Sequence, residues 1–296
     1  MKHYQTLGIA FRTAIQSSVL VLAASSANQA LAAPCPIDPA NLAACPEVSA
    51  NTTLTHSCRG PLKVVQDNVV LNLGGFSVMC SEDHGIMLDG RNTVVIRNGY
   101  IRSNKADGIH IENSSNLYVH TLSSFNNDDN GIEISNSDKF VVKSVTAFNN
   151  FKGFEFTDST RWTITDSVST SNADVGIDVE NGNTTAIRST RVTSNGSDGI
   201  GSDSSTTIMD KLTVHANGDD GINLNPLSRA TLLQNSVVLN NLDDGIDVDL
   251  DALNSYIRNN ISAKNADHDL SDNNVDCGTN VWESNQFVTS NQACAQ

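Results

Sequence analysis

Four side chains raise the first chemical question. Arg97, His120 and Lys143 follow one another at intervals of 23 residues, and Tyr118 stands two before His120. In a repeating β structure such spacing puts them on adjacent rungs of one outward face. There they would set cations beside an acid group, with an imidazole and a phenol in reach for proton transfer. That equipment suits a sugar acid: a cation neutralises the carboxylate and a base removes the proton α to it. Thr165, Arg188 and Arg258 extend the column. The plainer account is a partly basic sheet face, compensated across a bend by solvent and by the acidic face beside it.

Carboxylates make the second candidate. Outward positions two residues past a recurring glycine carry His110, Glu133, Glu155, Asp178, Asn223 and Asp247, and Glu112, Glu180, Asp203 and Asp249 lie two further on. In the carboxyl half, Asp219-Asp220 and Asp243-Asp244 occupy one bend of neighbouring repeats, near Asn223 and Asn225. Calcium takes roughly six to eight oxygens in flexible geometry. The candidate metal set is therefore Asp219, Asp220, Asp243, Asp244, Asp247 and Asp249, and Ca2+ is the cofactor to expect if there is one. Neither an EF-hand loop nor a calcium-binding nonapeptide repeat is present, and aspartate as a plain turn former is the alternative.

What must position these groups is visible in a pair that keeps returning. Gly-Ile falls at 85, 108, 131, 176, 199, 221 and 245, with Gly-Phe at 153, so the period is 22–24 residues. A second column runs through Asn104, Asn126, Asn149, Asn172, Asn195, Asn217, Asn240 and Asn265. Each repeat holds two short apolar/polar alternations, such as Ile109-His110-Ile111-Glu112 and Leu117-Tyr118-Val119-His120, and a third short segment. No helix-length apolar pattern occurs. The fold class is all-β, a parallel β-helix solenoid of about nine to ten coils whose stacking makes the core continuous. The glycines suit a bend with positive φ or close backbone approach. The asparagines suit amides stacked at a bend. Ser202, at an otherwise apolar position beside Gly201, marks the weakest rung.

The ends differ from the middle. Lys2 and Arg12, the small and apolar run from Ala14 to Ala24, and Ala30-Leu31-Ala32 make residues 1–32 a signal peptide. Residues 33–67 form an N-terminal cap, 68–270 the solenoid and 271–296 a C-terminal cap, with Trp282 and Phe287 as a lid. Six cysteines, Cys35, Cys45, Cys58, Cys80, Cys277 and Cys294, flank the repeats. An even number in an exported chain argues for disulfides. Cys58–Cys80 fits one coil length, and Cys277–Cys294 and Cys35–Cys45 follow by proximity. With 33 acidic against 18 basic residues the surface repels nucleic acid. No run is apolar enough for a membrane span. A monomer, secreted or periplasmic, is expected.

The two columns, the strand Asn68-Val69-Val70-Leu71-Asn72-Leu73-Gly74-Gly75 and the segment Cys277-Gly278-Thr279-Asn280-Val281-Trp282 resemble secreted right-handed parallel β-helix repeat proteins of the pectate-lyase-like and NosD-like superfamily. The resemblance covers nearly all of residues 45–294. It implies a right-handed, single-stranded helix and an extracellular polysaccharide, bound or modified along a side face. The enzymatic alternative it offers is a uronate lyase or C5-epimerase; the non-catalytic one is an envelope or matrix protein. Gly218-Asp219-Asp220-Gly221 resembles part of a polygalacturonase site, but the Gly-His-Gly and Arg-Ile-Lys partners are missing. Asp267-His268-Asp269 lacks the proline of the mannuronan epimerase motif and falls in the last rung. Coil lengths vary too little for deep groove walls, which favours a binder over an enzyme and leaves the choice open.

Overall fold

The computed structural model describes residues 34–295, so the expected leader lies outside the described residues. Alternation fixes the strands. Ile109–Glu112, Ile132–Ser135 and Phe154–Thr157 each bury the first and third side chains and leave the second and fourth half exposed. These belong to a parallel sheet of ten strands, running from Leu62–Val64 to Leu270–Asp272. One inward column reads Ile86, Ile109, Ile132, Phe154, Ile177, Ile200, Ile222 and Ile246 in unbroken register. Eighteen further strands build the other two faces. Val94–Arg102, Ser115–Phe125 and Asp138–Phe148 run through both, turning the corner at Asn98, Thr121 and Ser144, whose φ values are 61°, 53° and 52°. The result is a parallel β-solenoid of about ten turns.

The glycine column exists for close approach, since these residues do not have positive φ. A Cβ on Gly153 would stand 2.0 Å from Ser169 Oγ and 2.4 Å from the carbonyl oxygen of Gly176 in the next coil. In the last coil Asp269 takes the glycine's place; its carboxylate accepts from the Asn265 side chain and from the Val288 N–H.

The buried amide ladder is shifted from the expected column at three rungs. It runs Asn104, Asn127, Asn150, Asn172, Asn195, Asn217, Asn241 and Asn265. Each Nδ2 donates to the next Oδ1, which also takes the backbone N–H of the residue below. Asn126, Asn149 and Asn240 stand one earlier, in the left-handed conformation that turns the chain into the ladder. Ser202 does not interrupt the stack: it is fully buried and stays in register between Val179 and Leu224.

Two of the expected disulfides are wrong. The bonds are Cys35–Cys80, Cys45–Cys58 and Cys277–Cys294. The register explains the error. Cys58 lies opposite Val78 and not Cys80, because the coil from 58 is two to four residues shorter than the later ones on this face. Cys58 is thus left facing Cys45, whose N–H bonds the Arg59 carbonyl one strand below. Cys80, beyond the strand, is left for Cys35. At the other end Trp282 stacks in register on Ile257, is 8 % exposed and donates its indole N–H to Asp272; Phe287 packs against the same core.

Candidate functional site

The outward column of the second face reads Arg97, His120, Lys143, Thr165 and Arg188 in strict register. Tyr118 and His120 stack with ring centroids 4.3 Å apart. The structure thus assembles all four residues of the first candidate. Lys143 lies 3.7 Å from Asp166 and Arg188 3.7 Å from Asp210. Among the described residues the Arg97 guanidinium makes no ion pair and donates no hydrogen bond, its backbone alone being held in the sheet. Partial burial, then the charges of Arg97 and Lys143, push the His120 imidazolium below its ordinary pKa, so the ring is neutral at neutral pH. Asp210 and Gln234 follow Arg188 in the column, so the basic stretch ends there and Arg258 stands apart from it.

Directly after Arg97, His120 and Lys143 the chain turns, and the three turns line an open cleft of about 290 Å³. Its walls include Asn98, Gly99, Tyr100, Thr121, Ser123 and Ser144. Gly99 is needed at the floor, where a Cβ would fall 2.4 Å from that of Leu73. Tyr100 is 46 % exposed and meets Phe125 edge-on; Phe125 stacks on Phe148 at 4.6 Å, beneath the guanidinium of Arg102. The cleft and its aromatic third face were missed from the sequence. Tyr100, Phe125 and Phe148 recur at near-coil spacing, which was the available signal.

The six acidic candidates separate. Asp219, Asp220 and Asp243 bring carboxylate oxygens within 4.8 Å of one another, whereas Asp244 groups with Asp267 and His268. Asp247 is bonded by Asn273, and Asp249 also interacts with Asn273. Several serve the backbone. Asp198 accepts the Asp220 N–H at 3.1 Å, Asp220 that of Asp244 at 2.8 Å, and Asp244 that of His268 at 2.7 Å. Burial pushes Asp220 up to about 8 and Asp247 up to about 7.

A third cluster forms where the sequence suggested only a bend and an acidic column. His84 and Asp107 precede glycines on successive coils, and His110 and Glu133 lie on the adjoining strand face. Asp107 Oδ2 stands 2.9 Å from His84 Nδ1 and 3.1 Å from His110 Nδ1, while Glu133 Oε2 is 3.0 Å from His110 Nδ1. Asp107 is 1 % exposed; although burial opposes its ionisation, hydrogen bonds from His110 and His84 hold it well below the usual carboxylate range. Higher on this face Lys152 bridges Glu155 at 2.5 Å and Asp178 at 2.6 Å. This compensates like charges that would otherwise stack at strand spacing.

The family described as the right-handed β-helix region matches residues 54–189 and 159–296. A search of curated proteins finds no match. Among solved structures, the A-module of the Azotobacter vinelandii mannuronan C-5 epimerase AlgE6 is 13 % identical over 84 % of this chain and 77 % of its own, with a TM-score of 0.58. A single-substitution form of the periplasmic alginate epimerase AlgG is 13 % identical over 80 % of this chain and 73 % of its own, with a TM-score of 0.60. The Dettilon tailspike protein is 15 % identical over 79 % of this chain and 53 % of its own, with a TM-score of 0.60. At these identities the likeness is one of fold. The family match spans most of the sequence and agrees with the ten stacked turns: the chain belongs to the right-handed β-helix family.

Proposed function

We propose that this protein binds an acidic polysaccharide along the Arg97–His120–Lys143 stripe and in the corner cleft beside it. The observation that carries this is Arg97, a cation with no ion pair on an otherwise acidic molecule, next to exposed Tyr100 and Tyr118. Charge-assisted hydrogen bonds to a sugar carboxylate and ring stacking on pyranose faces are what such a surface offers. The epimerase neighbours, named for mannuronan and alginate, favour a uronate polymer. Three disulfides fit an oxidising compartment outside the cytoplasm, where such polymers occur. The test is calorimetric titration with alginate, pectate and a glycosaminoglycan. Arg97→Ala should weaken binding by about tenfold or more, from a charge-assisted bond of about 1.5–3 kcal/mol. No affinity for any acidic polymer, or affinity indifferent to Arg97, would discard the reading.

His120 supports a second reading, a uronate lyase or C5-epimerase. Its neutral imidazole between two cations is a base placed where a carboxylate would be neutralised. An NMR time course of each polymer tests it. New unsaturated or inverted uronate signals that disappear in His120→Ala would establish the enzyme; unchanged polymers would leave the binder.

A further inference from the structure

The cluster of His84, Asp107 and His110 is unused by either reading above. Each of the three offers a ligand atom within 4.8 Å of the others, and Nδ1 of both histidines lies beside Asp107 Oδ2. The rings stack with centroids 4.2 Å apart, and both Nδ1 atoms lie within 3.1 Å of the same carboxylate oxygen. Asp107 Oδ1 accepts the Asn130 N–H at 3.0 Å, which fixes the carboxylate and leaves Oδ2 for the site. Protons alone serve this arrangement poorly. His84 Nδ1 lies 3.2 Å from the Asp107 N–H, a donor, and 2.9 Å from Asp107 Oδ2, an acceptor, so neither tautomer of the ring satisfies both. His110 Nδ1 is likewise shared between Asp107 Oδ2 at 3.1 Å and Glu133 Oε2 at 3.0 Å, so its single N–H is divided between two carboxylates.

Two imidazole nitrogens and a carboxylate oxygen this close together can hold a cation once it displaces the protons between them. Bonds of about 2.0–2.1 Å to a tetrahedral zinc ion put its ligands about 3.3 Å apart, close to the nitrogen–oxygen separations seen here. We propose that His84, Asp107 and His110 form a binding site for a divalent transition metal, with zinc the best-fitting class. Two imidazoles and a carboxylate select such an ion over calcium, which takes oxygens alone. Glu133 stands at the open side, where it would accept a hydrogen bond from a metal-bound water. The histidines are 20 % and 22 % exposed, so the site is reachable from solvent.

The test uses tag-free mature protein, stripped with a chelator and titrated with zinc chloride by calorimetry and by NMR of 15N-histidine. One ion per chain should bind, and the Nδ1 resonances of two histidines should shift. His84→Ala and Asp107→Asn should each weaken binding by more than about 100-fold, and Glu133→Gln, an outer partner, by about 10–100-fold. Asparagine retains an oxygen for the Asn130 N–H, and His84→Gln gives a second variant whose fold is checked by circular dichroism. His56→Ala, at an exposed histidine in the amino-terminal cap, should leave zinc uptake unchanged. Natively folded protein that takes up no zinc, or zinc uptake indifferent to His84 and Asp107, would overturn the proposal.

Discussion

Two imidazoles show how far neighbours set a side chain's chemistry. His120 sits in a cationic column and is held neutral, while hydrogen bonds donated to the carboxylates of Asp107 and Glu133 push His110 up to about 10. Asp220 shows the same at a carboxylate. Burial, and then the charges of Asp198, Asp247 and Asp244, raise it to about 8, although the Asp244 N–H opposes the shift. The folded state therefore binds a proton there that the unfolded chain releases near its ordinary carboxylate pKa of about 4. Stability from this group is present at low pH and falls as pH rises through that window towards 8. Asp220→Asn should raise the melting temperature at pH 9, with the gain shrinking as pH falls towards 4; a thermal scan across pH checks it. Asn130 already occupies this column, so the amide fits. The basic stripe was legible in the sequence because its members share one strand position. The His84–Asp107–His110 cluster was not, because it joins a bend to a strand, and only the fold makes those two columns neighbours.

At the scale of one coil, the doublets teach more than the repeat. Asn126-Asn127, Asn149-Asn150 and Asn240-Asn241 each offer two candidates for one ladder position, and the buried member is the second. Single asparagines show the rule: Asn104, Asn172 and Asn195 each follow a left-handed serine, so the ladder residue comes after the turn. Asn150→Ala should cost about 2–4 kcal/mol, because it strands the buried Asn127 N–H and amide. Asn149→Gly, at an exposed left-handed position, should cost well under 1 kcal/mol. Chemical denaturation separates the two; equal losses would mean the doublet shares the load. Glycines divide likewise. Gly153→Ala would drive a Cβ into the next coil's backbone and should prevent native folding. At Gly201 the nearest atom would be 3.6 Å away, so Gly201→Ala should stabilise by about 0.4–1 kcal/mol.

Over the whole molecule, contacts join each coil chiefly to its neighbours, so stability is a sum of rungs and interfaces and the ends are the weak places. All three disulfides lie there, with none between Cys80 and Cys277. That distribution was legible from the cysteine positions; the amino-terminal pairing was not, because it depends on one shortened coil. The carboxyl bond spans 17 residues, a loop worth about 3 kcal/mol if its loss were felt globally. A solenoid should instead feel it locally. In Cys277→Ala/Cys294→Ala, hydrogen exchange should quicken over Leu270–Asp272 and Val281–Glu283, where Trp282 closes the core, while Ile132–Ser135 near the middle keeps its protection. Equal acceleration from Ile86 to Leu270 would show one cooperative unit, in which the carboxyl lid stabilises every coil and the local account fails.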